Sequence, residues 1–583
     1  MGLMQKAIET YDYFEADYAG KNIEGQKEPL APVAHMIAKA SIEITINAKG
    51  EFVQAVEINN KVIIPCTQDS MGRTSSPSPH PLCDQVEYLS KTGGEKYDLY
   101  IAYLKRWVES PYSDTKIESV LYYVTKYDLE GDLKKAGIKY DKKSLVVWRV
   151  LGVDGVSAVY EDTTLQQKFI NYYLDSISSG SDSLCMVTGK RTVAATQQLK
   201  GIVSLFGNAK IISSNDSTNF TYRGRFKNSY DALTVGYITT QKANNALKWI
   251  VSNQGVYTKN RVFVCWNPHG IDLPPLTNPL LKSDNNKRAF GEYKSDLEKI
   301  LFKYTSVMSN MENVVIAAFE AATTGRLSVT YYNELLGSDF IDRLKYWDET
   351  CCWDSNTFGV YSPTLSSIIN CAFGTERGKD NSVRFETDDK VFGQQIQRLI
   401  HCRVDKQIIP YDIVRALENK CGRLVNLSKN NRETLLFVTC AVIKKYFVDR
   451  YKEEISMSLE PDKRDRNYQF GRLLAVLEKI ENDTYRDGES RETNALKMQS
   501  VFVQRPAYAS QIIIDKLKSA YYPRLNASRQ IYYEKLIGEI MEILSEDPDN
   551  FNKPLGPTYL IGYYVQRNSF YKKNNAELEE KEI

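Results

Sequence analysis

Isoleucines at 42, 44 and 46 alternate with polar residues, the two-residue period of a strand that turns one face to a core. The turn Asn47-Ala48-Lys49-Gly50 and a second alternating run from Phe52 to Val56 complete a β-hairpin signal. Val62-Ile63-Ile64 reads as a third short strand, stopped by Pro65. Further strands are expected at Ser144–Leu151, Ser183–Thr188, Ala209–Ser213, Val262–Trp266 and Val314–Ala318. Between several of them the apolar period lengthens to that of a helix, at Tyr97–Val108, Asp162–Ser176 and Gln241–Val251. This alternation predicts a mixed α/β region over 1–346.

From Trp347 the strand signals fade. Thr434–Phe447 is almost wholly apolar and predicts a buried helix. Phe470, Leu473, Leu474, Leu477 and Ile480 form a helical stripe, and Ile531–Leu544 repeats the pattern. Breakers such as Asp487-Gly488 and Asp547-Pro548-Asp549 separate these segments, as in a bundle with short loops. The expected fold class is therefore α+β. A mixed α/β domain (1–346) leads through a helical connecting region (347–456) into an all-α bundle (457–583).

Composition changes the picture only in part. Among 583 residues, 42% are hydrophobic and 25% charged, an ordinary globular balance. A net charge of +2 gives no general attraction for polyanions, so any nucleic-acid contact needs basic residues grouped locally. The 10 cysteines form no CxxC pair and the 4 histidines are scattered, so neither a zinc ribbon nor an HExxH helix is present. No metal or cofactor is expected. Apolar runs fall short of a membrane span and no secretory leader is evident, which points to a cytoplasmic protein without membrane partners. The 39 tyrosines combine apolar area with a polar tip, a property suited to wide interfaces.

Two segments invite a chemical reading. LCMVTGKRT (184–192) ends in Gly-Lys, yet the glycine spacing and the residue after Lys190 depart from a phosphate-binding P-loop. GRTSSPSPHPLCD (72–84) is stiffened by Pro77, Pro79 and Pro81 and carries Arg73 and several hydroxyls. A loop ordered before it meets a ligand loses less entropy on binding.

A series of segments resembles the large subunit of type I-C CRISPR surveillance complexes (Cascade), the Csd family. IPCTQDSMGRTSSPSPHPLCDQVEYL (64–89), FTYRGRF (220–226), NNALKWI (244–250), VCWN (264–267) and ATTGRLSVTYYNEL (322–335) come first. YSPTLSSIINCAFG (361–374), YQFGRLLAVLEKIE (468–481), RETNAL (491–496) and YLIGYYVQR (559–567) follow in the family's order. The resemblance implies a non-catalytic subunit of an RNA-guided, DNA-targeting complex. Guide pairing reads the target, and the large subunit recognises the short flanking motif (PAM) on double-stranded DNA. It also implies help with duplex opening, R-loop stabilisation, and contacts with the crRNA-bearing particle through its backbone and 5′-handle subunits. A recruited helicase–nuclease is a further partner.

Within that frame the PAM-side DNA contacts are expected at Lys39, Lys49, Gln68, Arg73, Thr74, Ser75 and Ser76. The opposing reading has Arg73 pinning the loop to its own domain. Strand or phosphate contacts are expected at Lys190, Arg191, Arg223, Arg225 and Arg326, where glycine and aromatic neighbours suit a gripped strand. The family also implies that the C-terminal region is made separately as a small subunit, and Met457 is placed to start it. Arg464, Arg466, Arg472, Arg567, Lys572 and Lys573 are then its candidate contacts. Two alternatives stay open: a nucleic-acid-processing enzyme such as a nuclease, and a scaffold without direct DNA contact.

Overall fold

The computed structural model describes residues 2–73, 76–178, 182–212, 233–258, 260–281, 287–308, 312–323, 325–355, 357–379, 382–486, 489 and 491–579, with only the backbone of 322 and 571–579. The chain forms two compact units: Met1–Leu273 with Glu312–Leu335, and Pro274–Met311 with Leu336–Ile583. The units therefore part at 273/274, 311/312 and 335/336, not after 346. The cause is a sheet that recruits residues 313–335 back to the first unit.

In the first unit, β1 (His35–Asn47) runs antiparallel to β2 (Phe52–Pro65) and parallel to β3 (Val146–Leu151), in the order β2-β1-β3. Ile42, Ile44 and Ile46 are fully buried, as their alternation requires. Being central, β1 buries its other face too, including Glu43 and Thr45. The Glu43 carboxylate accepts from Arg149 Nε and Nη2 at 2.9 and 3.0 Å and from Tyr160 Oη. The separate strand expected at Val62–Ile64 is the end of β2, continuous with it past a register shift between Ala40 and Ile42. Gly50 closes the hairpin turn at φ +74°, and a Cβ there would lie 2.6 Å from the Ser119 carbonyl oxygen.

The segment expected as one strand at 183–188 is a short hairpin, β4 (Asp182–Leu184) with β5 (Arg191–Val193). Ala209–Ser213 forms no strand within the described residues. Lys210 makes only an isolated parallel bridge to Arg326. A second sheet has the order β6-β7-β8-β9, from β6 (Val256–Tyr257), β7 (Arg261–Trp266), β8 (Asn313–Thr323) and β9 (Arg326–Leu336). Helices Leu3–Tyr18, Glu95–Val108, Thr115–Lys126, Thr163–Ile177 and Tyr237–Gln254 belong to the same unit. Their apolar faces join one core around Trp107, Trp148 and Phe169.

The second unit is mostly helical, yet it holds two hairpins where strand signals fade: β10 (Trp353–Ser355) with β11 (Gly359–Tyr361), and β12 (Thr375–Arg377) with β13 (Arg384–Glu386). Three-residue strands leave too little period to read. The predicted buried helix is Lys429–Tyr451, and the stripe Phe470–Ile480 lies on Arg466–Asn482. Helix Ala527–Leu544 departs from expectation in its buried face. Ile531 is 67% exposed, and Tyr533, Ile540 and Leu544 are buried instead. Met457 sits in the connector between Tyr451 and Arg466. No break separates the helices on either side of it, because Lys429–Tyr451 packs against Thr558–Glu579. Among the described residues, no helix is long and apolar enough to cross a membrane.

Candidate nucleic-acid interface

The stiff loop of the first unit is closed by one buried carboxylate. Thr67 caps the short helix Gln68–Gly72, and Arg73 follows at its end. Arg73 does not face outward as expected of a DNA contact. Its Nη1 donates to the Ser78 carbonyl at 2.8 Å and to Asp84 Oδ2 at 2.9 Å, and Nη2 donates to Asp84 Oδ1 at 2.6 Å. The guanidinium also lies over the Tyr88 ring, 4.4 Å from its centre. Asp84 is fully buried and accepts two further bonds, from the backbone N–H groups of His80 and Gln85, each at 2.7 Å. Burial pushes the Asp84 carboxyl up from its ordinary range, against the pull of Arg73 and those N–H groups. A fork that meets a carboxylate in two places is fixed in direction as well as charge, so Arg73 is a strut of the loop. That is the opposing reading given above, and its physical reason is Asp84.

Gln68 is likewise turned inward. Its Oε1 accepts from Thr196 N at 2.7 Å, Thr196 Oγ1 at 3.1 Å and Gln197 N at 3.3 Å, tying the loop to residues 196–197. Thr74 and Ser75 lie outside the described residues, and Ser76 is exposed. Lys39 is exposed on β1, opposite Lys61 of β2. Lys49 is exposed in the β1–β2 turn, the far end of the hairpin from the stretch of β2 that leads into the loop.

Lys190 and Arg191 are exposed at the tip of the β4–β5 hairpin, where Gly189 N donates to the Cys185 carbonyl and Cys185 N to that of Lys190. Arg223 and Arg225 lie outside the described residues. Arg326 opens β9, half-buried and bridged by backbone to Lys210.

In the second unit most of the expected contacts are engaged within the fold. Arg472 is buried and donates to Gln566 Oε1 at 3.0 Å, the Pro461 carbonyl at 2.6 Å and Gln469 Oε1 at 2.9 Å, so it is a core residue. Arg466 donates to the carbonyls of Phe551 and Lys553 and rests on the Phe470 ring. Arg567 pairs with Glu433 at 2.9 Å and lies over Tyr563. Arg464 is exposed and meets Glu546 at 3.3 Å. Lys572 and Lys573 continue the helix Thr558–Glu579, with side chains outside the described set.

Sequence reasoning missed Lys200 and Lys210. The signal was present: no Asp or Glu occurs between Asp182 and Asp216, while Lys190, Arg191, Lys200 and Lys210 do. Gln197 links this stretch to the loop. It passes within 3.4 Å of a Cβ built on Gly72, and its Oε1 accepts from Lys210 Nζ at 3.4 Å. Lys200 is close enough for its charge to act on His80. The loop and the acid-free stretch thus share one region of the first unit.

Two buried histidines make that unit acid-sensitive. Burial, aided by the charges of Arg73 and Lys200, holds His80 down at about 3. Burial also brings His35 to about 4, against the bond that its Nδ1–H donates to the Val33 carbonyl. Both are neutral when folded, whereas the unfolded chain takes up protons near pH 6.5. Their contribution is complete above that pH and is lost as pH falls towards the folded values. Each is expected to remove up to about 1.4 kcal/mol of stability per pH unit below about 6. Melting of the chain between pH 7 and 5 checks this, and His35→Gln with His80→Gln should flatten the slope.

Among the described residues, no three His, Cys, Asp or Glu side chains gather as a metal site. Compared with known families, residues 15–571 match the one described as CRISPR-associated protein (Cas_Csd1). No curated protein matches the chain.

Proposed function

Since this chain belongs to the Cas_Csd1 family of CRISPR-associated proteins, we propose that it is the large, non-catalytic subunit of a type I-C interference complex. In this reading its first unit meets double-stranded DNA at the flanking motif and helps open it. Guide pairing then reads the target, and a helicase–nuclease is recruited afterwards. The observation that carries the proposal is the match over nearly the whole length. The first unit supports it with a loop tied to Asp84 at Arg73 and His80, the exposed Ser76 among its described residues, and an acid-free basic stretch beside it. Basic side chains in irregular segments suit backbone contact, which positions a protein on a duplex without reading its sequence.

The second unit contributes a helical face for the particle. A shorter product starting at Met457 would begin in a connector and keep the helix Arg466–Asn482 whole. N-terminal sequencing of any helical by-product of expression checks that start.

The reading as a whole is tested by assembling the guide-bearing particle with and without this chain. With it, binding to a duplex that carries the flanking motif should exceed binding to one that lacks it. Without it, guide loading should persist and the preference disappear. An unchanged preference, or metal-dependent cleavage of DNA by the chain alone, would refute the proposal.

A further inference from the structure

Most inward-facing cations of the first unit have acidic partners. Lys116 meets Asp162, Lys168 meets Asp114, Lys242 meets Asp12 and Glu15, and Arg149 meets Glu43. Lys200 and Lys210 differ. Both are half-buried, yet among the described residues neither has a carboxylate within ion-pair distance, and the one partner of Lys210 is the amide oxygen of Gln197. Burial, and then the charge of Lys200, lowers the Lys210 ammonium from its ordinary range. Lys248, whose nearest acid Glu28 is 3.9 Å away, shares with Lys200 the rim of a cavity of about 40 Å³ walled by Met36, Met71 and Leu199. Gly201 N donates to the Ala209 carbonyl at 3.2 Å, which sets residues 200 and 210 on either side of one backbone bond. Partly desolvated like charges held side by side with no carboxylate partner among the described residues are unfavourable, and an arriving anion offsets both the desolvation and the repulsion.

We propose that Lys200 and Lys210 form a seat for one phosphodiester group of the duplex beside the 73–84 loop. The Gln197 NH₂ is left to donate, since its oxygen already accepts from Lys210. Ammonium groups are point charges without the planar fork of arginine, so the seat grips backbone and reads no base. This inference rests on the reading that the first unit meets duplex DNA. It adds which groups hold the backbone and predicts that they act equally on all sequences.

The test uses the assembled particle with Lys200→Gln/Lys210→Gln, measuring duplex affinity from 0.05 to 0.3 M salt, with Lys200→Arg/Lys210→Arg as the charge-preserving control. The Gln pair should weaken binding roughly eightfold at 0.1 M salt and lower the log–log salt slope by about 0.9, with the flanking-motif preference unchanged. The Arg pair should retain most of the affinity. Unchanged slope and affinity in the Gln pair, while the wild-type particle still prefers the motif, would overturn the seat and leave the wider reading standing. Loss confined to guide RNA loading would also overturn it. A wild-type particle without motif preference would remove both.

Discussion

Replacing Arg73 with Ala is expected to lower the stability of the first unit by about 3–5 kcal/mol, because it strands a fully buried carboxylate. The corresponding loss in melting temperature is on the order of 5–10 °C. Four donors converge on Asp84, and the guanidinium supplies two of them along with the compensating charge. Arg73→Lys keeps the charge but not the fork, so it should recover only part of the loss. Asp84→Asn should destabilise comparably, since it leaves the guanidinium inside without its counter-ion. If Arg73 were instead a ligand contact, Arg73→Ala would leave melting unchanged and weaken only DNA binding. Thermal unfolding of the purified chain separates these outcomes.

The second large effect is expected at a helix crossing. Helices Arg466–Asn482 and Thr558–Glu579 approach backbone to backbone at two glycines. A Cβ on Gly471 would lie 1.9 Å from the Tyr559 carbonyl oxygen, and one on Gly562 would lie 2.0 Å from that of Tyr468. Alanine in a helix interior ordinarily gains about 1 kcal/mol over glycine. Here the obstacle is backbone, which cannot rotate aside, so the helices must part and the packing of Tyr563 and Phe470 with them. Gly471→Ala should therefore cost about 3 kcal/mol or more, the upper range of overpacking. Gly538, at an exposed position of helix Ala527–Leu544, is the control, because a Cβ there meets nothing within 4 Å. Gly538→Ala should stabilise by about 0.5–1 kcal/mol, and opposite signs at the two glycines in denaturant unfolding are the expected result.

Long periodic segments were legible in the sequence and short ones were not. Ile42, Ile44 and Ile46 announced β1, and Phe470 to Ile480 announced a buried helix, because each runs long enough for its period to show. The hairpins at 353–361 and 375–386 have three-residue strands and no period to detect. The unit boundaries were hidden because β8 and β9 complete a sheet begun at Val256. Long-range pairing of that kind leaves no local mark. At the candidate interface, residue type predicted position poorly. Arg73 and Arg472 look like free cations in sequence, and partners 11 residues away or contributed by another helix draw them inward. Lys200 and Lys210 were overlooked because the telling feature was an absence, the missing acids between 182 and 216.

In the proposed function the loop of residues 73–84 and its basic flank lie against duplex DNA. A photo-crosslinker at Ser76, the exposed described residue of that loop, probes this directly in the assembled particle bound to a duplex with its flanking motif. Adducts to double-stranded DNA within a few base pairs of the target are predicted. Efficient crosslinking to guide RNA or to protein alone, with none to DNA, would contradict it.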